Sequence, residues 1–175
     1  SEYTLVVDSN EDILIHQLEQ LRDEIAANHA DLVKPDQLKT VRFPNHLYQP
    51  LFHAKKNGRI TIMPVALNES EYAFVEHLSS YCTDKKEDFA AKGMELFLLR
   101  NQSRGKGIGF FEAGNFYPDF ILWILHGGKQ YVTFIEPHGL LHGSGPQDPK
   151  IQFHQRIKEI EERCRQQDPN IILNS

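Results

Sequence analysis

The stretch NFYPDFILWILHGGKQYVTFIEPHGLLHG, residues 115–143, contains two strongly apolar runs joined by a Gly-Gly pair. Apolar runs on both sides of a two-residue glycine turn predict a β-hairpin, with strands over 117–126 and 129–136. Asp119 opens the first run and Glu136 closes the second. A buried carboxylate costs free energy unless a charge or hydrogen-bond donors compensate it, so these two acids need a physical explanation.

The predicted pairing of the hairpin brings the two acids together. Counting back from the turn places Asp119 roughly opposite residue 137, within neighbour or diagonal range of Glu136. Two adjacent acids repel each other, and a divalent cation between them relieves that repulsion. Hard oxygen ligands of this kind suit Mg²⁺ or Mn²⁺. The other explanation is structural, because an acid at the end of a strand is often solvated or paired with an arginine.

The elements around the hairpin predict an α/β fold. Apolar spacing predicts helices and strands in the following segments: helices over 11–29, 67–81 and 148–167, and strands over 94–101 and 170–174. In the second helix, Asn68 or Ser70 can cap the N-terminus, and Glu71 points the same way as the core residues. From residue 69 onward the order is α-β-β-β-α-β, which favours a mixed central β-sheet flanked by helices.

The first part of the chain is predicted to be separate from this sheet. Residues 1–67 are expected to form an N-terminal helix and a hairpin, as a connector or a small subdomain. That hairpin pairs 47–53 with 59–66 around Asn57-Gly58, a preferred two-residue turn. The helix has these apolar residues at helical spacing: Ile13, Leu14, Leu18, Leu21 and Ile25. Residues 68–175 are expected to form the second domain, which carries both acids.

Composition limits the class of protein. The chain has 175 residues, a size typical of one domain, and 40% of them are hydrophobic. No apolar window reaches the length of a membrane helix, and the N-terminus has no signal-peptide pattern. Cys82 and Cys164 have no metal spacing, so we expect two free thiols in a reducing cytoplasm. Because the chain starts without Met, we expect a piece of a larger protein.

The segment YPDFILWI, followed by GKQYVTFIEPHG, resembles the signature of the PD-(D/E)xK nuclease superfamily. Pro118-Asp119 matches the first half of that signature, and Glu136-Pro137-His138 matches the second half except at its last position. The segment ELFLLRNQSRGKGIGFFEAGNFYPDFILWI is similar, more narrowly, to nuclease domains at the C-terminal side of helicase motors, and the flanking LNESEYAFVEHL and FFEAGNFYPDF support this resemblance. Those motors are DEAD/DEAH-box helicases of the type III restriction-subunit kind, associated with restriction and antiviral defence. The resemblance covers about residues 60–165.

The resemblance implies a restriction-endonuclease-like core and a metal-dependent hydrolysis of phosphodiester bonds. Asp119 and Glu136 would be metal ligands for Mg²⁺ or Mn²⁺, joined by the main chain of residue 137 or 138. Glu71 would match the helix glutamate that often completes the site. The metal would polarise the phosphate and lower the pKa of a bound water. DNA is favoured over RNA as substrate, and the partner would be a helicase motor in cis or in trans.

His138 departs from the family pattern, which has lysine at this position. A lysine is cationic near neutral pH, whereas histidine has an unperturbed pKa of about 6.5. A neutral imidazole can act as a general base or bind the metal itself. Lys129 or Lys150 can supply the missing charge from elsewhere. His138 and His142 are four residues apart, but Gly139 and Gly143 argue against a helical zinc site.

Several polar residues are candidates for contacts to nucleic acid. The Gly-rich segment RNQSRGKGIG carries Arg100, Arg104 and Lys106, and the last helix carries Lys150 and Gln152. Glycine lets a backbone approach a phosphate closely, and the cations add charge. The net charge of −5 argues against gripping nucleic acid by charge alone, but a nuclease can borrow basic surface from its neighbours.

Two other functions stay open at this point. The first is a catalytically inactive nucleic-acid-binding module of the same fold, in which His138 marks a decayed site. The second is a metal hydrolase that acts on another phosphate ester. The aromatic residues beside the site, Phe110, Phe111, Phe116 and Tyr117, either stack on bases or belong to an ordinary core.

Overall fold

The structure is a computed structural model that describes residues 3–29, 31–35, 38–45, 49–54, 58–63, 66–102, 107–110, 116–137 and 148–175, with the side chains of residues 149 and 150 left out. The chain divides into two compact units. The first unit comprises Ser1–Phe43 and Tyr48–Ser79, and the second comprises Pro44–Leu47 and Ser80–Ser175. Each unit has its own hydrophobic core.

The first unit packs one long helix against short strands. Its elements are β1 (Thr4–Val7), α1 (Asp12–Ala26), β2 (Leu38–Val41), β3 (Leu51–Ala54), β4 (Ile60–Met63) and the start of α2 (Glu69–Asp84). Helix α1 contributes Leu14 and Leu21 to the core. Ile13 is 81% exposed, because it is a helical neighbour of Leu14 and therefore lies about 100° away around the helix axis.

The predicted hairpin between 47–53 and 59–66 is wrong. Strand β3 pairs antiparallel with β2, and β4 pairs antiparallel with β1. Ile60 and Ile62 of β4 alternate into the core, so the strand itself was predicted correctly. Its partner is the N-terminal strand, more than fifty residues away, which sequence patterning left unassigned. Alternation fixes which face of a strand is buried, but it leaves the choice of partner open. Asn57, the expected turn residue, lies outside the described residues.

Residues 68–79 belong to the first unit, whereas the sequence analysis placed the division between residues 67 and 68. Tyr72 explains part of this grouping. Its ring centroid lies 5.4 Å from that of His53 in β3, and Lys39 Nζ of β2 lies 5.1 Å from the same ring. Burial and the neighbouring Glu76 carboxylate raise the pKa of Tyr72 above its ordinary value. The first part of α2 is therefore packed on the strands of this unit.

The second unit is a mixed α/β structure built on a four-stranded sheet. Its elements are α3 (Lys86–Ala91), β5 (Glu95–Arg100), β6 (Phe120–His126), β7 (Lys129–Ile135), α4 (Pro149–Arg165) and β8 (Ile171–Asn174). The strand order is β5-β6-β7-β8, and only β8 runs parallel to its neighbour. All four strands fall within one to three residues of their predicted positions. The α/β class is confirmed, and the short helix α3 is an addition.

The core of the second unit lies between one face of the sheet and α4. Ile121, Val132 and Phe134 alternate onto this face, and Phe153 and Ile157 of α4 cover them. The Phe153 ring lies 4.4 to 5.4 Å, between centroids, from three other phenylalanine rings, those of Phe110, Phe116 and Phe134. Phe153 thus packs α4 against aromatic residues of the core, and Ile157 adds aliphatic contacts, as the predicted apolar spacing of a helix indicated.

Side chains of α4 also hold the terminal strand β8. Glu161 Oε2 accepts hydrogen bonds from Leu173 N and Lys158 Nζ, both at 2.8 Å. Lys158 Nζ in turn donates to Leu173 O at 2.6 Å. The Lys158 hydrogen bond and the Leu173 N–H lower the pKa of Glu161, against the opposing effect of its burial. Edge strands expose unpaired backbone groups, and here two side chains satisfy them.

Two further sequence expectations concern the whole chain. Across the described ranges, every helix falls short of the length and apolar character that a membrane crossing needs. Cys82 and Cys164 are both free thiols, as expected.

Candidate active site

The hairpin register ends one residue before Asp119 and Glu136. Strand β6 pairs with β7 from His126↔Lys129 at the turn to Phe120↔Ile135 at the other end. Continued one residue further, the same register would set Asp119 opposite Glu136. The sequence analysis placed Asp119 opposite residue 137, one residue off, because it did not close the turn on His126 and Lys129. Gly127 and Gly128 both have positive φ, at 57° and 73°, as a tight two-residue turn requires.

Arg100 is the nearest described cation to Asp119. It ends β5, and its Nη1 lies 3.4 Å from Asp119 Oδ1. The same Nη1 donates to the main-chain oxygen of Asp119 at 2.7 Å. Only 12% of the Arg100 side chain and 20% of the Asp119 side chain are exposed, and Asp119 Oδ2 is a buried atom. Asp119 therefore has an arginine partner, which was the structural explanation offered above for an acid at a strand end.

Asn101 organises the backbone on both sides of the site, and sequence reasoning missed it. Its side-chain amide donates to Pro118 O at 2.9 Å and Ile108 O at 2.8 Å, while Oδ1 accepts from Ile108 N at 2.9 Å. Its main-chain N–H donates to Asp119 O at 2.8 Å. The signal in the sequence was an asparagine directly between a predicted strand and a Gly-rich segment, where its side chain can replace missing backbone partners.

Two glycines after β5, Gly107 and Gly109, lie so close to neighbouring atoms that neither position has room for a side chain. A side chain at Gly107 would overlap Gln102 O and Asn101 Oδ1, and one at Gly109 would overlap the Tyr117 ring. These glycines therefore allow the chain to return tightly to the start of β6. Their role in the described structure is packing, which differs from the close approach to phosphate that the sequence suggested.

Glu71 belongs to the first unit and starts α2. Its Oε2 accepts from Asn68 N at 2.9 Å, and Asn68 Oδ1 accepts from Glu71 N at 3.0 Å. This reciprocal pair is a capping box, and it confirms Asn68 as the cap of the helix. Glu71 is 2% exposed, so the predicted inward orientation is also confirmed. The cap gives Glu71 a structural role, and its role as a metal ligand stays a prediction.

The cation that replaces the family lysine cannot be Lys129. Lys129 pairs with His126 at the turn, six residues along β6 from Phe120. At about 3.3 Å per residue, that places it roughly 20 Å from the ends that carry the acids. His138 and the neighbouring His142 lie outside the described residues, as does the side chain of Lys150. In the described part of the chain, Arg100 is a basic group that lies beside Asp119.

Of the residues predicted to contact nucleic acid, some lie in the described part of the chain and others do not. Arg100 is largely buried and bonded to Asp119, so a phosphate would compete with an existing partner. Gln152 is half-buried in the first turn of α4, where its N–H donates to Asp148 O at 3.0 Å. Arg104 and Lys106 lie outside the described residues. These contacts to nucleic acid stay predictions.

Three of the four aromatic residues near the site lie in the described part of the chain. Phe116 is 9% exposed and stacks on Phe153, and Phe110 packs 4.8 Å from Phe134. Both are core residues, which is the second of the two readings given above. Tyr117 is half-buried beside Gly109, and Phe111 lies outside the described residues.

The donor set at the strand ends fits Mg²⁺ or Mn²⁺. Asp119 and Glu136 offer hard carboxylate oxygens directly beyond the last pair of the hairpin, and Mg²⁺ is commonly bound by one or two carboxylates together with water and substrate phosphate. Within the ranges given above, no three His, Cys, Asp or Glu side chains gather closely enough to hold a metal ion by themselves. A cation here would therefore take its remaining ligands from water, from main-chain oxygens or from a phosphate.

The first unit has a separate, mainly apolar cavity of about 440 Å³ between α1 and the strands β1 and β3. Leu5, Leu18 and Phe52 are among its walls, with Glu19 and Arg22 as charged members. Neither carboxylate of the hairpin contributes to it. This apolar cavity and the acid pair are thus different features of the chain.

No protein-family model, curated protein or solved structure matches the chain.

Proposed function

We propose that the second unit is the catalytic part of a metal-dependent nuclease with a restriction-endonuclease-like core. Its reaction is the hydrolysis of phosphodiester bonds, with DNA favoured over RNA. The observation that carries this proposal is the hairpin register, whose last pair, Phe120↔Ile135, adjoins Asp119 and Glu136 at the ends of two neighbouring strands. The sequence signature supports it, since Pro118-Asp119 and Glu136 occupy the two halves of the nuclease motif.

The residues of the site have separate roles in this proposal. Asp119 and Glu136 hold the cation. The cation supplies Lewis-acid activation of the phosphate and of a water molecule. Asn101 fixes the backbone of Pro118 and Asp119, and so orients the first carboxylate. His138 takes the place of the family lysine as general base or as metal ligand. The motor that delivers nucleic acid is a helicase, in cis or in trans, in a restriction or antiviral defence protein.

A second candidate is a non-catalytic nucleic-acid-binding module of the same fold. The ion pair between Arg100 and Asp119 favours it, because an arginine can neutralise Asp119 without a metal. In that case the acid pair stabilises the strand ends, and His138 has replaced a lysine that is no longer needed.

Cleavage assays separate the two candidates. Single- and double-stranded DNA, with RNA in parallel, are incubated with Mg²⁺, with Mn²⁺ and with chelator. The test variants are Asp119→Ala and Glu136→Gln. The matched control is Glu95→Gln, an exposed acid of the same sheet that lies opposite Leu125, at the turn end of β6.

The nuclease requires metal-dependent cutting that both test variants reduce by a factor of about a hundred or more and that the control retains. Equal cutting by the wild type and Asp119→Ala would overturn it. Binding of DNA without cutting, in either metal and with a helicase supplied, supports the non-catalytic module. His138→Lys then tests decay, since it would restore cutting only in a site that lost its lysine.

A further inference from the structure

Arg100 is held in place on several sides. Its Nη1 donates to Asp119 O at 2.7 Å and to Asn101 O at 3.3 Å. Its guanidinium carbon lies 5.1 Å from the centroid of the Phe120 ring, the ladder partner of Arg100. A guanidinium stays protonated throughout the pH range in which proteins fold. The Arg100 charge is therefore permanent, and its position is fixed mainly by main-chain oxygens and an aromatic ring.

The contact to the Asp119 carboxylate is the longest of these polar contacts, at 3.4 Å. Loss of that contact would leave the two hydrogen bonds to main-chain oxygens intact. A cation that bound Asp119 would therefore not release Arg100, which would stay beside it. Like charges at this range repel, and the repulsion is strong where side chains are shielded from water, as both of these are.

We infer that Arg100 is a fixed counter-cation that weakens the binding of a divalent ion to the Asp119 and Glu136 carboxylates until an anionic phosphate is present. This inference rests on the proposed function. Arg100 cancels one of the two negative charges of the pair, so the protein alone offers the ion little net charge. A nucleic-acid phosphate restores the missing negative charge. Metal and nucleic acid then bind with positive coupling, which must be equal in both directions.

The same contact accounts for the stability of the acid pair without metal. Two facing carboxylates repel, and a guanidinium beside one of them offsets that repulsion. Arg100 is thus a positioning residue, which acts on the ion through Asp119 and holds the end of β5 against the start of β6.

Titration of the full chain with Mn²⁺, without nucleic acid and at fixed ionic strength, tests the inference. Bound Mn²⁺ is counted by electron paramagnetic resonance in the wild type, Arg100→Gln, Arg100→Lys and Arg59→Gln. The last is the matched control, an arginine with a 63% exposed side chain that pairs with Glu11 in the first unit. Circular dichroism verifies the fold of each variant.

Arg100→Gln is expected to bind Mn²⁺ about tenfold more tightly, because it removes a positive charge from beside the ion. Even at the dielectric constant of water, a unit charge next to a divalent ion changes the binding constant of that ion by about this factor. Arg100→Lys keeps the charge and is expected to stay within about threefold of the wild type, and Arg59→Gln should not change. A phosphorothioate DNA duplex should raise the Mn²⁺ affinity of the wild type more than that of Arg100→Gln.

Two results overturn the inference while leaving the nuclease intact. One is a folded Arg100→Gln variant that binds Mn²⁺ no more tightly than a wild type that cleaves DNA. The other is a folded Arg100→Lys variant whose affinity differs from the wild type by tenfold or more; this comparison decides the matter if Arg100→Gln does not fold. Absence of Mn²⁺ binding and of cleavage in the wild type removes the proposed function and the inference together.

Discussion

Replacing Asn101 tests whether one buried amide holds the end of β5 against the start of β6, directly after Asp119. Asn101 is 4% exposed, and its side chain makes three hydrogen bonds, to Ile108 O, Ile108 N and Pro118 O. A typical intramolecular hydrogen bond contributes about 1 kcal/mol to the free energy of unfolding. Asn101→Ala is therefore expected to lower that free energy by about 3 kcal/mol, with a further cost for the carbonyl oxygens that lose their donor.

Asn101→Asp separates hydrogen bonding from packing. Aspartate has nearly the same shape, but it lacks the amide donors and would direct a carboxylate oxygen at two carbonyl oxygens. We expect it to be at least as destabilising as alanine. If packing alone mattered, the aspartate variant would resemble the wild type. The matched control is Asn170→Ala, since Asn170 is exposed in the turn before β8.

Urea denaturation followed by tryptophan fluorescence measures the effect. Trp123 is the only tryptophan, and it lies in β6 beside the core of the second unit, so its signal reports on that unit. Unfolding free energies of both Asn101 variants within about 1 kcal/mol of the wild type would refute the assignment of Asn101 as the organising residue.

The remaining predictions concern α4. Glu161→Gln should lower the free energy of unfolding by about 1 to 3 kcal/mol at neutral pH, because it removes charge-assisted hydrogen bonds to Lys158 and to the N–H of Leu173. Since folding lowers the pKa of Glu161, its contribution is present above the ordinary carboxyl pKa and is lost as the pH falls through the lowered value. The difference in unfolding free energy between Glu161→Gln and the wild type should therefore shrink in acid. The control Glu162→Gln, at an exposed neighbouring position, should show little effect at any pH. A difference that grows in acid would contradict the assigned role of the Glu161 hydrogen bonds. Phe153→Ala should lower the free energy of unfolding, measured by urea denaturation, by about 3 to 5 kcal/mol, because the residue is 1% exposed and packs among three other phenylalanines. Phe153→Leu should give an intermediate loss. A loss below about 1 kcal/mol for Phe153→Ala would contradict the aromatic core.

The site was partly predictable because its main feature is local. The turn, both strands and both acids lie within one stretch of fewer than thirty residues, so alternation and turn chemistry sufficed to bring Asp119 near Glu136. The position facing Asp119 was one residue off because register depends on which residues close the turn. The helix cap was equally local, and Asn68 was one of the two predicted caps, but the return hydrogen bond to Glu71 was not predicted.

Arg100 illustrates what such reasoning could not reach. The sequence placed it beside a glycine-rich segment, where a cation is usually solvated. Its partners are the carboxylate and the main-chain oxygen of Asp119, nineteen residues further along the chain. Nothing in the spacing indicates that contact, because it arises only when β5 pairs with β6. Asn101 was missed for the same reason.

The sequence by itself determined the long helices, the central hairpin and the presence of two acids at adjoining strand ends. Those features follow from apolar periodicity and turn residues, which act over a few neighbouring positions. Only the tertiary structure decided that β4 pairs with β1 and that Arg100 neutralises Asp119. Each of these depends on which distant segments meet, and that choice is set by the burial of the whole core. Local patterns predict which face of a helix or strand is buried, whereas tertiary packing decides which other element that face or edge contacts.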